Sequence, residues 1–176
     1  MTDQQTSGEI VAARELLIDC FGRIDELVGE LTGDLDTQTA TFRPEPEANS
    51  IAWLIWHSAR VQDDHVAGVA DVDQVWPKWR DRFDLPFDDF ATGYGMSSED
   101  VGKVVVDAEL LAGYHHDVHE QTVRYLEELT LAELERVVDE DWDPPVTVSV
   151  RLVSVINDAT QHIGQAAYLK GLAANF

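Results

Sequence analysis

The chain has 176 residues and carries 34 acidic against 12 basic side chains, a formal charge of −22. Such a surface repels phosphate backbones and anionic lipid headgroups, which excludes nucleic acid and membrane surfaces as partners. The 44% apolar content excludes a disordered chain, and the length suits one domain over residues 1–176 with a proper core.

The N-terminus, MTDQQTSGEI, lacks the charged and apolar regions of a secretory signal, so none is expected. The first predicted helix covers about 7–31, with Ser7 as a candidate cap. Ile10, Ala13, Leu17, Phe21, Ile24, Leu27, Val28 and Leu31 recur at spacings of three and four, which marks one buried face. Cys20 lies in this helix, in the run LLIDCF, and reads as a buried, inert thiol. A lone cysteine rules out an internal disulfide and suits a reducing compartment, so the protein reads as cytoplasmic.

Asn49 or Ser50 caps a second predicted helix to about residue 69, SIAWLIWHSARVQDDHVAGV. Trp53, Leu54 and Trp56 make its first turns apolar nearly all round. Residues 71–95 form a long connection rich in aromatics, Trp76, Trp79, Phe83, Phe87 and Phe90. It is expected to pack across the bundle, to hold a short helix or two, and to wall a pocket. Ser97 or Ser98 is expected to cap a third helix running without a break through Val101, Val104, Val105, Ala108 and Tyr114 to Leu126. Thr130 and Glu133 form a candidate capping box for a short helix ending near Val138. The stretch VTVSV, residues 146–150, has strand propensity but no obvious partner and reads as an extended lead-in. The last helix is predicted over about 152–173. Four long helices with uneven loops predict an all-α four-helix bundle, not of simple up-down-up-down order. No stretch approaches the roughly 18 apolar residues of a membrane span.

The densest chemistry sits in the last helix. Asp158 and His162 are four residues apart and therefore lie one above the other on one helix face. Carboxylate and imidazole both ligate divalent metals at about 2 Å. Asp158 follows an apolar run, where an unpaired carboxylate is costly. A third ligand must come from elsewhere, and His57, directly after WLIW, is the best candidate. Three protein ligands leave positions open for water or substrate, the pattern of a catalytic site. Asp64, seven residues after His57, is a candidate for orienting a ligand, and Arg60 and Gln165 for lining the same cavity. His115, His116 and His119 form a rival cluster, but Asp107, Glu109, Asp117 and Glu120 surround them, so they read as a solvated acidic face, as do Asp63 and His65. No Gly-rich phosphate loop, nucleophile elbow or CxxC occurs. TGYG, residues 92–95, reads as a turn.

The tail NDATQHIGQAAYLKG resembles the C-terminal motif of the DinB/YfiT-like metalloprotein superfamily, and AWLIWHSARVQDDH resembles its second-helix motif. VWPKW, RFDLPF, TGYG and WDPPVTVSVRLVSV resemble an actinobacterial branch that contains mycothiol-dependent S-transferases. The resemblance implies that His57, Asp158 and His162 hold a divalent metal. Asp158 stands where many members have His and the mycothiol-dependent isomerase branch has Glu. Zinc is the first expectation, with nickel, manganese or iron as alternatives because a carboxylate replaces an imidazole. The resemblance further implies a homodimer, and transfer of a small-molecule thiol, plausibly mycothiol, to an electrophile. A metal-assisted isomerase or hydrolase using bound water, or a non-catalytic metal- or ligand-binding bundle, remains the alternative.

Overall fold

A computed structural model describes residues 2–174, with side chains from residue 8 onward. Four long helices dominate: α1 (Thr2–Thr32), α3 (Ile51–Ala70), α6 (Ala108–Glu128) and α8 (Val148–Ala173). Short helices α2 (Thr37–Ala40), α4 (Arg80–Phe83), α5 (Ser98–Val101) and α7 (Leu131–Glu135) punctuate the connections, with a 3-10 turn at Trp76–Lys78. Among the described residues no helix is long and apolar enough to cross a membrane.

The chain is an all-α bundle whose long helices follow each other around the ring as α1, α6, α3, α8. The packed pairs are α3 with α8, α1 with α6, α3 with α6, and α1 with α8. The helices joined by the first and third long connections are therefore diagonal, as the uneven loops imply. This order sets α3 against α8, the two helices that carry the predicted ligands. The apolar interior divides into two clusters, one around Trp56, Ile55, Leu111 and Ile163, the other around Phe21, Leu126, Val148 and Leu152. Ile156 packs on both.

Local capping chemistry holds where it is read from neighbouring residues. Ser50 Oγ accepts from Trp53 N at 3.1 Å and starts α3. Thr130 Oγ1 accepts from Glu133 N at 3.1 Å and starts α7. The box is not reciprocal, because the Glu133 carboxylate takes bonds from Tyr125 and Arg136 instead. Ser7 lies inside α1 rather than at its start, and its side chain lies outside the described residues. Cys20 is half-buried, not buried.

Three expectations fail, two where the chain takes extended geometry in place of a predicted helix and one where an extended lead-in finds a partner strand and gives way to helix early. The third helix is broken. Ser97 caps only α5, and α6 begins anew after Asp107. Between them Val104 and Val106 are buried while Val105 is exposed, the two-residue alternation of an extended segment. The short helix α7 stops at Glu135, and β1 (Val137–Asp139) follows it. Its antiparallel partner is β2 (Val146–Thr147), so the VTVSV stretch does find a strand to pair with. Thr147 then caps α8, which starts at Val148, four residues before the predicted start.

The aromatic connection packs as expected, except at its end. Trp76, Trp79 and Phe83 surround Tyr114 of α6 at centroid separations of 5.1, 6.2 and 5.7 Å. Phe90, however, is 83% exposed.

Candidate metal centre

α3 and α8 face each other along the bundle and bring three predicted residues together. One ligand-capable atom each from His57, Asp158 and His162 lies within 4.8 Å of the others. No other such group of three occurs among the described residues. His162 Nε2 lies 3.5 Å from Asp158 Oδ1, the i,i+4 contact expected on one helix face. The His57 and His162 rings stand 4.9 Å apart, inclined by 64°.

His57 is 5% exposed and is held on two sides. Trp53, one turn earlier on α3, stacks on it at 4.5 Å and 15°. His57 Nδ1 lies 2.6 Å from the carbonyl oxygen of Thr92. A carbonyl only accepts, so Nδ1 carries the proton and the Nε2 lone pair is left free in the neutral ring. Burial pushes the His57 imidazole below its ordinary pKa; the Thr92 carbonyl opposes this and His162 adds to it. The imidazole of His162 holds the Asp158 carboxyl below its usual range, against the effect of burial.

The donor set fits a divalent metal. Asp158 Oδ2 and His162 Nδ1 are buried without a hydrogen-bond partner, a state that is costly unless something else satisfies them. His57 carries the carbonyl partner typical of a metal-bound imidazole.

The Thr92 carbonyl belongs to the TGYG turn, whose Gly93 and Gly95 have φ of +98° and +71°. A Cβ on Gly93 would come within 2.8 Å of His57 Nδ1. The turn thus lies directly against the imidazole. It is anchored by Arg60, fully buried on α3. Arg60 Nε donates to the Ala91 carbonyl at 3.0 Å, and its Nη1 to Gln74 Oε1 at 2.9 Å and Tyr114 Oη at 3.2 Å. Asp63 lies 3.5 Å from the same guanidinium and accepts from Val75 N, Trp76 N and Tyr114 Oη, each at 2.8 Å. Sequence reasoning missed this role, and it placed Asp63 on a solvated face although Asp63 is buried. The available signal was the Arg60–Asp63 spacing of three inside a helix that is apolar on most sides.

A cavity of about 460 Å³ opens beside the candidate ligands, lined by His57, Asp158, Asp64, His65, Thr92 and Tyr94 among others. Asp64 therefore shares the cavity with the ligands, but its hydrogen bond comes from Gln74 Nε2 at 2.9 Å. Arg60 is a buried anchor and not a wall of this cavity. Gln165 is exposed and does not line it. The aromatics from Trp76 to Phe90 do not wall it either. Trp76 and Phe90 border a separate, larger cavity of about 680 Å³ that contains no predicted ligand. Tyr94 lines the cavity beside His57 instead.

The rival histidines also differ from expectation. His115 is buried at 1% exposure, not solvated, and Asp25 of α1 reaches across to it. Asp25 Oδ1 lies 3.0 Å from His115 Nδ1, and Oδ2 lies 3.0 Å from the Nδ1 of the exposed His116. Burial raises the Asp25 carboxyl, but the two imidazoles outweigh it and hold it at about 2.

With this geometry in view, the family model for mycothiol-S-transferase matches residues 21–174. The chain belongs to the mycothiol-S-transferase family. The match covers both predicted ligand helices, α3 and α8, and all of the connection between α3 and α6. A crystal structure of a conserved protein from Enterococcus faecalis superposes on the chain with a TM-score of 0.85. The two are 33% identical, over 92% of this chain and 97% of that one. No curated protein matches the chain.

Proposed function

We propose that this mycothiol-S-transferase family member is a divalent-metal-dependent enzyme that joins the sulfur of a low-molecular-weight thiol, plausibly mycothiol, to an electrophilic substrate. The observation that carries the reading is the convergence of His57, Asp158 and His162 within 4.8 Å, with buried, unsatisfied ligand atoms beside an open cavity. A thiol of ordinary pKa, about 8.5, is only a few per cent thiolate at neutral pH. A bound divalent cation would supply the positive charge that favours the thiolate and would offset one carboxylate. Zinc is the first expectation, with nickel, manganese or iron compatible with two imidazoles and one carboxylate.

The chain's own residues have separable roles. The Thr92 carbonyl keeps the His57 proton on Nδ1 and so turns the unprotonated nitrogen to ligation. Trp53 fixes the ring plane by stacking. Asp158 supplies the negative charge. Three protein ligands would leave coordination positions for water or substrate, and the cavity beside His57 and Asp158 is lined by Thr92 and Tyr94 among others. We further propose a homodimer in a reducing cytoplasm, for which the lone Cys20 needs no partner.

The test is turnover. Purified protein loaded with zinc, nickel, manganese or iron is given mycothiol and a model electrophile. Thiol-dependent product above background is expected, and it should disappear on chelation and in His162→Ala. No rate above background, across these metals and several thiols, overturns the proposal. Turnover without thiol points instead to water as the nucleophile.

A further inference from the structure

α6 carries three histidines that the proposed reaction does not use, in the run HHDVH from His115 to His119. His115 and His119 are four residues apart. Two imidazoles at that spacing share one helix face and can close on a single ion. The pair lies on the side of α6 that packs against α1, where Asp25 meets it. His116 turns away from that face, with 60% of its side chain exposed.

Asp25 orients the inner ring. Its carboxyl is held at about 2, so at neutral pH it is ionised and can only accept. Its Oδ1 lies 3.0 Å from His115 Nδ1, which places the proton on Nδ1 and leaves the Nε2 lone pair free in the neutral ring. A carboxylate behind one ring nitrogen is the arrangement that orients a metal-ligating imidazole. His115 is 1% exposed, and its Nε2 is buried without a hydrogen-bond partner. Nδ1 of His119, one turn further along α6, is also buried and without a partner. Two unsatisfied nitrogens are costly unless something else engages them. Burial pushes the His119 imidazole below its ordinary pKa, against the pull of Asp25, so at neutral pH the ring is uncharged and able to ligate. Asp25 and Glu120 act on His119 through space, and their negative field favours a cation.

We propose that His115 Nε2 and His119 Nδ1 form a second metal site, for a late divalent transition ion such as zinc, nickel or copper, with Asp25 as the residue that positions His115. Imidazole ligands suit these ions, whereas magnesium and calcium take oxygen. No third side chain joins the two as a group within 4.8 Å among the described residues, so water would complete the coordination sphere. Both ligands belong to α6 and Asp25 to α1, so the ion would brace the contact between these two helices. The site is independent of His57, Asp158 and His162.

The probe is copper(II), whose electron spin-echo spectrum counts coordinated imidazoles. It is titrated into metal-free His162→Ala, in which the first site retains one imidazole. A saturable copper species with two imidazoles is expected. It should vanish when His119→Gln is added and survive when His116→Gln is added instead. Adding Asp25→Asn should weaken it by about 10- to 100-fold, the usual cost of losing the partner of a ligating imidazole. Circular dichroism checks the fold of each variant. If His162→Ala does not fold, zinc bound to the otherwise unaltered chain is counted by equilibrium dialysis, and His119→Gln should remove one ion. Absence of a two-imidazole copper, its persistence in His119→Gln, its loss in His116→Gln, or an unchanged zinc count overturns the site. Unaltered affinity in Asp25→Asn overturns the part given to Asp25. If the second ion binds as expected but no thiol is turned over, the transfer reading fails and this site stands.

Discussion

The closest approach of the TGYG turn to the candidate metal centre makes Gly93→Ala the sharpest probe of how the site is held. An alanine Cβ there would lie 2.8 Å from His57 Nδ1 and 3.2 Å from ring carbons of both Trp53 and Trp56. The backbone φ is +98°, where an L side chain is strained. Positive φ costs a non-glycine residue about 1–2 kcal/mol, and overpacking a tight interior typically adds about 1–3 kcal/mol. Gly95 is the internal control, with φ of +71° and open space around the missing Cβ. Gly95→Ala should therefore lose only the backbone share. At about 2–4 °C per kcal/mol for a chain of this size, the expected fall in Tm is roughly 10 °C for Gly93→Ala and roughly 4 °C for Gly95→Ala. Metal retention should fall in the first variant alone, because His57 must move off the Thr92 carbonyl to make room. Thermal unfolding by circular dichroism and elemental analysis after dialysis read the two effects. If Gly93→Ala melts with Gly95→Ala and retains metal like the wild type, the turn does not position His57 and the reasoning is wrong.

Arg60→Met keeps volume but leaves the Asp63 carboxylate buried without its cation and frees the Ala91 carbonyl. Losing one partner of a buried pair costs about 3–5 kcal/mol, so urea unfolding should show a loss of that order; a loss below about 1 kcal/mol would mean that the other donors to Asp63 suffice. Asp25→Asn tests the link between α1 and α6 through its pH dependence. The folded Asp25 carboxyl is held at about 2, below its ordinary value of 3.8, so its contribution of about 2 kcal/mol is present above pH 4 and fades as the pH falls through 2. His116 is raised above 6.5 by its bond to Asp25, so its share is present below pH 6.5 and fades as the pH rises through the folded value. The stability lost in Asp25→Asn should therefore peak between about pH 4 and 6.5; a pH-independent loss contradicts the pairing. Ser50→Ala removes the side-chain cap of α3, which carries His57, and should lower stability by about 1 kcal/mol without changing metal content; loss of bound metal would show that the cap also sets the position of His57.

Features governed by neighbours within a turn or two of chain were legible from the sequence. The caps at Ser50, Ser97 and Thr130 follow from a hydroxyl near the next free N–H groups. Asp158 and His162 share a face because helical periodicity places residues four apart together, whatever the rest of the fold does. His57 could be named as a candidate partner from its place after WLIW and from the family resemblance, but no spacing links residue 57 to residue 158, so their meeting was not legible. The errors share a different cause. Val104, Val105 and Val106 suit a helix or an extended segment equally by pattern, and only burial of the first and third against the bundle selects the extended one. The segments at Val137 and Val146 become strands because they pair, Val137 opposite Thr147 and Asp139 opposite Val146. His115 and Asp63 look solvated in a charged sequence, but Asp25 lies 90 residues from one, and the backbone amides of Val75 and Trp76 turn back on the other. Composition and periodicity by themselves determined an acidic helical bundle with Asp158 and His162 on one face of its last helix. The ring order of the helices decided that α3 faces α8, that the Thr92 carbonyl sets the His57 tautomer, and that Arg60 anchors the turn carrying it, because such contacts depend on which surfaces meet and not on the local order of side chains.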